Sequence, residues 1–210
     1  MAARRVLLLG AHTDDGEWGC GGSVHKWGRQ GAEITYVAFS AAEESVRPEY
    51  PRDILRTEII RGAGLMGIPP EQVRVLDFPV RHFPQHRQAI LEALVKLRGE
   101  LDPELVMVHS TTDTHQDHET LSQEAFRAFK KTSILGYEIP HNYRISAPSY
   151  FNPLDEDDIE AKIAALQAYE SQLWRVGDLR PLLLGQAALR GVQINVRYAE
   201  AFEVIRWVER

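Results

Sequence analysis

The chain has 210 residues, 44% of them hydrophobic, so it can bury one substantial core but is short for two domains. Its 24 basic and 30 acidic residues give a net charge of -6 and are interspersed, which argues against nucleic acid as a partner. The single cysteine excludes an intrachain disulfide and favours a reducing compartment. We therefore expect one domain over residues 1–210.

The N-terminal segment does not look like a targeting signal. Its basic start is followed by a short apolar run that soon meets Asp14 and Asp15, unlike a signal peptide or a membrane span. These features predict a cytoplasmic protein without a membrane partner.

Apolar, β-branched runs alternate with segments of helical period along the first two thirds of the chain. This alternation is typical of a parallel sheet covered by helices, so we predict an α/β fold with a Rossmann-like, mostly parallel sheet and helices on both faces. The predicted strands are 6–10, 33–39, 73–78, 105–109 and 134–138. The predicted helices are 22–30, 52–66, 85–98 and 118–130.

The pattern changes after residue 138. Residues 139–149 look irregular and 155–173 read as a helix with an acidic start, so we expect an irregular cap region. Residues 201–208 alternate apolar and polar side chains, as a half-buried edge strand would. The apolar stretch 174–189 either packs on the sheet or supplies the contact of a homo-oligomer.

Two polar motifs follow predicted strands. His12-Thr-Asp-Asp-Gly-Glu17 comes after the first strand, and Asp113-Thr-His-Gln-Asp-His118 comes after the fourth. Ligands of open α/β sheets bind beyond the carboxyl ends of the strands, so the two loops can meet there. A catalytic zinc ion takes three His or carboxylate ligands and leaves a position for water.

The residues present satisfy that count. We predict that His12, Asp15 and His118 hold the ion. Asp14 would then be free to take a proton from the attacking water, and His115 would lie near the oxygen that gains charge.

Other interpretations of these motifs remain open. An Asp-Asp pair often caps a helix, and histidines are often satisfied by ordinary hydrogen bonds. A glycine-rich turn can cradle phosphate, but the glycines here do not form G-x-G-x-x-G directly after the strand, and two aspartates would repel phosphate. A non-catalytic module that binds metal or nucleotide is thus the alternative from a different class.

The first motif, extended to Ala11-His-Thr-Asp-Asp-Gly-Glu-Trp-Gly-Cys-Gly-Gly22, resembles the A-H-P-D-D-E…G-G signature of the PIG-L or LmbE-like zinc N-deacetylases. Asp113–His118 resembles that family's D-x-H-x-D-H motif, and residues 136–140 resemble its next strand. Lys162, residues 171–172 and residues 198–202 resemble weaker C-terminal signatures. Two departures are Thr13 in place of proline and Gly16 in place of glutamate, with Glu17 one residue later.

The resemblance implies a zinc-dependent hydrolase that removes the acetyl group of an N-acetylglucosamine-type amino sugar or conjugate, giving acetate and a free amine. It implies His12, Asp15 and His118 as ligands and Asp14 as general base. It also implies His115 as the electrostatic or acid partner. An amidase for a larger acyl group is the close alternative, and ferrous iron also suits two histidines and a carboxylate.

Three further residues have roles that the sequence leaves open. Asp117 is expected to orient a histidine of the metal site. Arg56 is our choice for substrate binding, because an arginine fork suits a carboxylate or phosphate, although an ion pair with nearby glutamates is equally compatible. Cys20 is expected to be a packing residue.

Overall fold

The computed structural model describes residues 5–175 and 177–209 of the chain. Within these residues, seven strands form one sheet, and six α-helices surround it. The strands are β1 (Arg5–Gly10), β2 (Glu33–Ala38), β3 (Val73–Val75), β4 (Leu105–His109), β5 (Ser133–Tyr137), β6 (Tyr150–Leu154) and β7 (Tyr198–Arg206). The helices are α1 (Asp15–Arg29), α2 (Ile54–Leu65), α3 (Arg87–Leu101), α4 (Gln116–Ala128), α5 (Glu156–Gln167) and α6 (Leu179–Val192).

The strand order is β3-β2-β1-β4-β5-β7-β6. Strands β1 to β5 pair in parallel, whereas β7 is antiparallel to both β5 and β6. The chain goes from β1 outward to β2 and β3, then returns to place β4 on the other side of β1. The loops after β1 and β4 therefore flank the point where the strand order reverses, which is where α/β sheets bind ligands.

The sheet has an apolar core on each face, as predicted. Leu7 and Leu9 of β1 face the core that α3 and α4 cover, and Val6 and Leu8 face the core that α1, α2, α5 and α6 cover. Side chains of a strand alternate between faces, so a strand covered on both sides reads as a continuous apolar run.

The C-terminal third differs from the prediction. Residues 139–149 are irregular, but β6, α5, α6 and β7 then complete the sheet and one helical layer rather than forming a cap. Strand β7 lies between β5 and β6, so its assignment as the edge strand was wrong. The edge strand β6 escaped prediction because its five residues include Asn152 and Pro153, which are uncommon in strands.

Helix α1 begins seven residues earlier than predicted, at Asp15 rather than Gly22, and it is kinked at Cys20. The buried carboxylate of Glu200 accepts hydrogen bonds from the backbone N–H groups of Gly22 (3.1 Å) and Ser23 (2.7 Å) beyond the kink. Lys162 donates to the same carboxylate at 2.6 Å. A carboxylate from β7 thus caps the second half of α1 and fixes the direction of its first half.

The glycine-rich start of α1 serves close packing. A Cβ atom on Gly19 would lie 2.1 Å from the ring of Tyr137, far inside van der Waals contact. Cys20 is fully buried, as expected of a packing residue. The glycines therefore allow α1 to approach β5, which brings the first motif against the sheet.

Candidate metal centre and active site

The loops after β1 and β4 meet at the carboxyl ends of the sheet and bring the two motifs together. His12 Nδ1 lies 3.2 Å from His118 Nε2, and Asp15 Oδ1 lies 3.4 Å from the same His118 nitrogen. The third separation, from His12 Nδ1 to Asp15 Oδ2, is 3.6 Å. Ligand atoms of a tetrahedral zinc site with bonds of about 2.0–2.1 Å are separated by about 3.3–3.4 Å. The distances from His118 Nε2 to His12 Nδ1 and to Asp15 Oδ1 are close to this spacing, and it is the other Asp15 oxygen that lies 3.6 Å from His12.

Two carboxylates orient the histidines. His12 Nε2 lies 3.1 Å from Asp117 Oδ2, and His118 Nδ1 lies 2.9 Å from Asp113 Oδ2. A carboxylate accepts hydrogen bonds, so each of these ring nitrogens carries a hydrogen. In their neutral forms the two rings would present the opposite nitrogens, His12 Nδ1 and His118 Nε2, as lone pairs to a cation between them.

Asp15 is held by its own loop and by β4. Its Oδ2 atom accepts the backbone N–H of His12 at 2.7 Å and lies 2.9 Å from His109 Nε2. His109 is fully buried, and its ring stacks on that of His118 with centroids 3.8 Å apart. His109 therefore fixes the carboxylate that faces the other two donors.

The electrostatics of the three donors call for one positive charge. Burial, followed by the nearby His109, lowers the pKa of His118 to about 4. Burial opposes ionisation of Asp15, but His118, His109 and His12 hold its pKa well below the ordinary value. Burial also opposes protonation of His12, yet the carboxylates of Asp15 and Asp117 raise its pKa to about 10. A divalent cation between the donors would supply the charge that a proton on His12 otherwise brings.

Alternative donor sets occupy the same space. Among the described residues, the ligand atoms of His12, His115 and His118 lie within 4.8 Å of one another, as do those of Asp15, His109 and His118. In both alternatives a ring nitrogen already has a partner. His115 Nδ1 accepts a backbone N–H, and His109 Nε2 lies against Asp15.

Asp14 lies beside the three donors and is half-buried. It precedes α1 without making a side-chain cap, and it lines the cleft of about 190 Å³ that also contains His12, Asp15 and His118. Burial and the adjacent Asp15 carboxylate raise the pKa of Asp14. The two adjacent aspartates therefore have different surroundings, and Asp14 is free to exchange a proton with a molecule in the cleft.

His115 forms part of the opposite wall. Its Nδ1 atom accepts the backbone N–H of Asp117 at 3.1 Å and caps α4. Burial, and then the charge on His12, lowers the pKa of His115. The neutral ring must then carry its hydrogen on Nε2, which makes His115 a hydrogen-bond donor.

Glu17, whose role the departure at Gly16 left open, is fully buried behind the loop. Its two oxygens contact the hydroxyls of Tyr36 (3.0 Å) and Tyr169 (2.8 Å), and both hydroxyls also contact the carbonyl oxygen of Thr13. Burial raises the pKa of Glu17 to about 8. Through these two tyrosines Glu17 holds the Thr13 carbonyl, and with it the segment that carries Asp14 and Asp15, in place.

Arg56 lies outside the cleft. It forms an ion pair with Glu43 at 3.0 Å and a second with Asp77, and it lines a separate recess of about 170 Å³. The arginines among the described residues that line the cleft are Arg81 and Arg175. The structure therefore shows the alternative given for Arg56, an ion pair with a nearby glutamate, and no place for it in the cleft.

Four residues of the site had no specific role in the sequence prediction. Asp113 belongs to the second motif, and its position five residues before His118 is the signal that could have identified it. Arg81 has a left-handed backbone, with φ of 70°, which directs its N–H onto Asp117 at 2.5 Å. His109 ends β4, four residues before the second motif, and this spacing made it a candidate for supporting the site without fixing its contact with Asp15. Arg175 reaches the site only through the tertiary fold, so sequence spacing could not identify it.

The structure is thus a mostly parallel α/β sheet that carries paired histidine and carboxylate motifs where its strand order reverses. Residues 7–129, more than half of the chain, match the model of the PIG-L family, described as GlcNAc-PI de-N-acetylase. The chain belongs to this family.

Relatives and solved structures agree with this membership. The chain is 29% identical over 177 residues to the uncharacterized deacetylase YaiS of Escherichia coli, covering 79% of the chain and 90% of YaiS. It is 25% identical to the 4-oxalmesaconate hydratase of Pseudomonas putida, over 96% of the chain and 89% of that enzyme. The N,N'-diacetylchitobiose deacetylase of Pyrococcus horikoshii superimposes with a TM-score of 0.79 at 24% identity, over 97% and 84% of the two chains. The predicted fold is confirmed by this likeness.

Proposed function

We propose that this protein is a metal-dependent hydrolase that removes the N-acetyl group of an N-acetylglucosamine-type amino sugar or conjugate. The observation that carries the proposal is the convergence of His12 Nδ1, His118 Nε2 and the Asp15 carboxylate beside the free carboxylate of Asp14. The family description and the deacetylase name of the Escherichia coli relative support the same reaction.

In this proposal His12, Asp15 and His118 hold the ion, with zinc favoured and ferrous iron suited to the same donors. When bound, the ion would lower the pKa of a water molecule and polarise the amide carbonyl. Asp113 and Asp117 keep the histidine lone pairs directed toward it.

The residues around the donors transfer the proton and stabilise the negative charge. Asp14 takes a proton from the water that attacks the carbonyl carbon, and its raised pKa makes it a stronger base than an ordinary carboxylate. The Nε2–H of His115 donates to the oxygen that becomes negatively charged. Such a donor typically contributes about 10² to 10³ in rate.

When the product of water addition breaks down, the proton that Asp14 accepted returns to the substrate. The C–N bond breaks, the acetyl carbon keeps the oxygen from water, and the amine nitrogen needs a proton to leave. Asp14 carries the proton that it has just accepted, whereas the Nε2–H of the neutral His115 ring is already donated to the oxygen. Asp14 therefore donates the proton to the leaving amine. The products are acetate and a free amino sugar.

The walls of the cleft present polar groups that suit a sugar. Arg81, Asn142, His141, Gln172 and Arg175 line it together with the donors. Arg81 and Arg175 are the cationic side chains best placed to contact a negatively charged conjugate. The cleft suits a small-molecule substrate, and the single cysteine is compatible with a place in the cytoplasm.

The experiment is amine release from methyl N-acetylglucosaminide by the purified protein, after chelation and again after zinc or ferrous iron is returned. We expect release that the chelator abolishes and one of the metals restores. Absence of amine with every metal tested would contradict the proposal.

The hydratase relative supports a second candidate, addition of water to a carbon–carbon double bond at the same site. A hydratase of this kind would consume an unsaturated tricarboxylate such as 4-oxalmesaconate, which absorbs in the ultraviolet, and would release no amine. Loss of that absorbance without amine release would favour hydration over deacetylation.

A further inference from the structure

Two tyrosine hydroxyls converge on the carbonyl oxygen of Thr13, the residue that precedes the proposed base Asp14. Tyr36 of β2 reaches this oxygen at 2.9 Å, and Tyr169, which follows α5, reaches it at 2.5 Å. Both tyrosines are buried, with at most 1% of their surface exposed. They lie 23 and 156 residues from Thr13 in the chain, so only the fold brings them to one atom.

Each hydroxyl has one hydrogen to donate and two oxygens within reach. Tyr36 lies 3.0 Å and Tyr169 lies 2.8 Å from an oxygen of Glu17, so for both hydroxyls the contact with the Thr13 carbonyl is the shorter one. A carbonyl oxygen has two lone pairs and can accept both hydrogens. The direction of the Thr13 carbonyl is therefore fixed by two buried donors.

The peptide bond transmits this direction to Asp14. A peptide group is planar and trans, so the N–H of Asp14 points away from the Thr13 carbonyl and from the buried tyrosines. Burial raises the pKa of Asp14, whereas the N–H of Asp14 lowers it through contact with its own carboxylate. That carboxylate does not cap α1, and it lines the cleft. The orientation of one peptide group thus places the base.

Gly16 allows Tyr36 to make its contact. The N–H of Gly16 donates to the Tyr36 hydroxyl at 3.0 Å. A Cβ atom on Gly16 would lie 2.9 Å from the same hydroxyl and 2.8 Å from the side chain of Leu8, both inside van der Waals contact. A larger residue at position 16 would displace Tyr36 from Thr13. The departure at Gly16 and the tyrosine contact therefore belong together.

Resting on the proposed function, we propose that Tyr36 and Tyr169 are positioning residues that hold the Thr13–Asp14 peptide so that the Asp14 carboxylate meets the attacking water. Neither tyrosine lines the polar cleft, so neither hydroxyl acts on the substrate directly. The neighbouring ligand Asp15 has separate contacts, with the His12 N–H and with His109. Loss of the hydroxyls should therefore affect proton transfer more than metal binding.

The test is the kinetics of amine release from methyl N-acetylglucosaminide by Tyr36→Phe, Tyr169→Phe and the double variant. One buried hydrogen bond corresponds to about 2- to 12-fold, so each single variant should lower kcat by that factor and the double variant by about 10- to 100-fold. KM and zinc affinity should stay within about threefold, because neither reports proton transfer. A raised KM with unchanged kcat would overturn the proposal.

Tyr150 on the edge strand β6 supplies the control. It does not line the cleft, and Tyr150→Phe removes a hydroxyl in the same way, so this variant should keep the kcat of the unaltered protein. A loss of kcat in Tyr150→Phe equal to that in Tyr169→Phe would show a general effect of removing a hydroxyl and would contradict the positioning role.

A mutant cycle with Asp14→Asn shows whether the tyrosines act through the base. On the Asp14→Asn background, the two tyrosine changes should lower kcat by no more than about twofold, since residues that act as a unit are not additive. The same factor with and without Asp14 would refute the proposal. Tyr169→Phe alone serves in the cycle if the double variant does not fold.

Crystal structures separate this proposal from the proposed function. In the double variant the Thr13 carbonyl should lose its single direction and the Asp14 carboxylate should leave its place, whether or not any amine is released. Absence of amine release by the unaltered protein would count against the deacetylase function alone. An unchanged Thr13–Asp14 peptide in the double variant would overturn the positioning role, even in an active deacetylase.

Discussion

The two adjacent aspartates have the same side chain but different surroundings. Asp15 accepts hydrogen bonds from the His12 backbone and from His109, while Asp14 lines open space. We expect Asp14→Asn to keep its bound metal and to lower kcat by about 10² to 10⁴, the range for loss of a general base. Metal content by mass spectrometry and amine release measure the two effects, and full turnover in the variant would remove Asp14 from the mechanism.

The carboxylates behind the histidines should affect metal affinity. Asp117→Asn and Asp113→Asn each replace a charged acceptor on a ligand histidine, so each should weaken zinc binding by about 10- to 100-fold. Competition with a chelating dye gives the affinities. The exposed Asp157 supplies the control, because Asp157→Asn makes the same change of charge at a residue that does not line the cleft. Equal affinities in all three variants would show that the orienting contacts do not matter.

The sequence identified those residues of the site that belong to the two motifs directly after β1 and β4. His12, Asp15 and His118 are brought together, and Asp117 contacts His12, although its role in orienting that ring stays a prediction. Their roles as ligands remain a proposal. Arg175 approaches from another part of the fold and could not be predicted, because no local pattern marks a tertiary contact.

At the scale of elements, the kinked helix α1 depends on a partner far away in sequence. Glu200 on β7 accepts the N–H groups that the kink leaves free, and Lys162 on α5 neutralises it. The periodicity of 22–30 therefore predicted only the half of the helix beyond the kink. A buried acceptor supplied by another strand leaves no trace in local periodicity.

Removing the charge of Glu200 should destabilise the fold. Glu200→Gln leaves the buried ammonium of Lys162 without its counter-ion, and breaking such a pair costs about 3–5 kcal/mol. Urea unfolding gives the free energy. Glu160→Gln removes one partner of the exposed pair with Arg180 and should change stability little. Similar losses in both variants would contradict the role given to the Glu200 cap.

At the scale of the molecule, the sheet explains why distant motifs meet. The strand order reverses between β1 and β4, and the segments that follow these strands carry all three proposed ligands, His12 in a loop, Asp15 at the start of α1 and His118 in the first turn of α4. Apolar runs predicted the parallel half of the sheet because its strands are buried on both faces. The antiparallel half was harder to predict from the sequence. Strand β6 is short, and β7 alternates apolar and polar residues like an edge strand although it lies inside the sheet. No helix among the described residues has the length and apolar character of a membrane span.

Metal binding should stabilise the whole fold, because the donors come from two loops that unfolding separates. At about 100 times the dissociation constant a ligand adds about 2.7 kcal/mol, which corresponds to a rise in Tm of about 5–10 °C for a chain of this size. Thermal unfolding with and without zinc measures the shift. His12→Asn should lose most of it, and an unchanged shift in that variant would place the stabilising ion elsewhere.

We propose that one divalent ion lies between His12, Asp15 and His118 and leaves Asp14 uncoordinated. Anomalous diffraction at the zinc edge from crystals grown with the metal tests it most directly. We predict a single peak in the cleft within about 2.0–2.2 Å of His12 Nδ1, His118 Nε2 and an Asp15 oxygen. A peak coordinated by His109 or Asp14, or no peak in the cleft, would contradict the account.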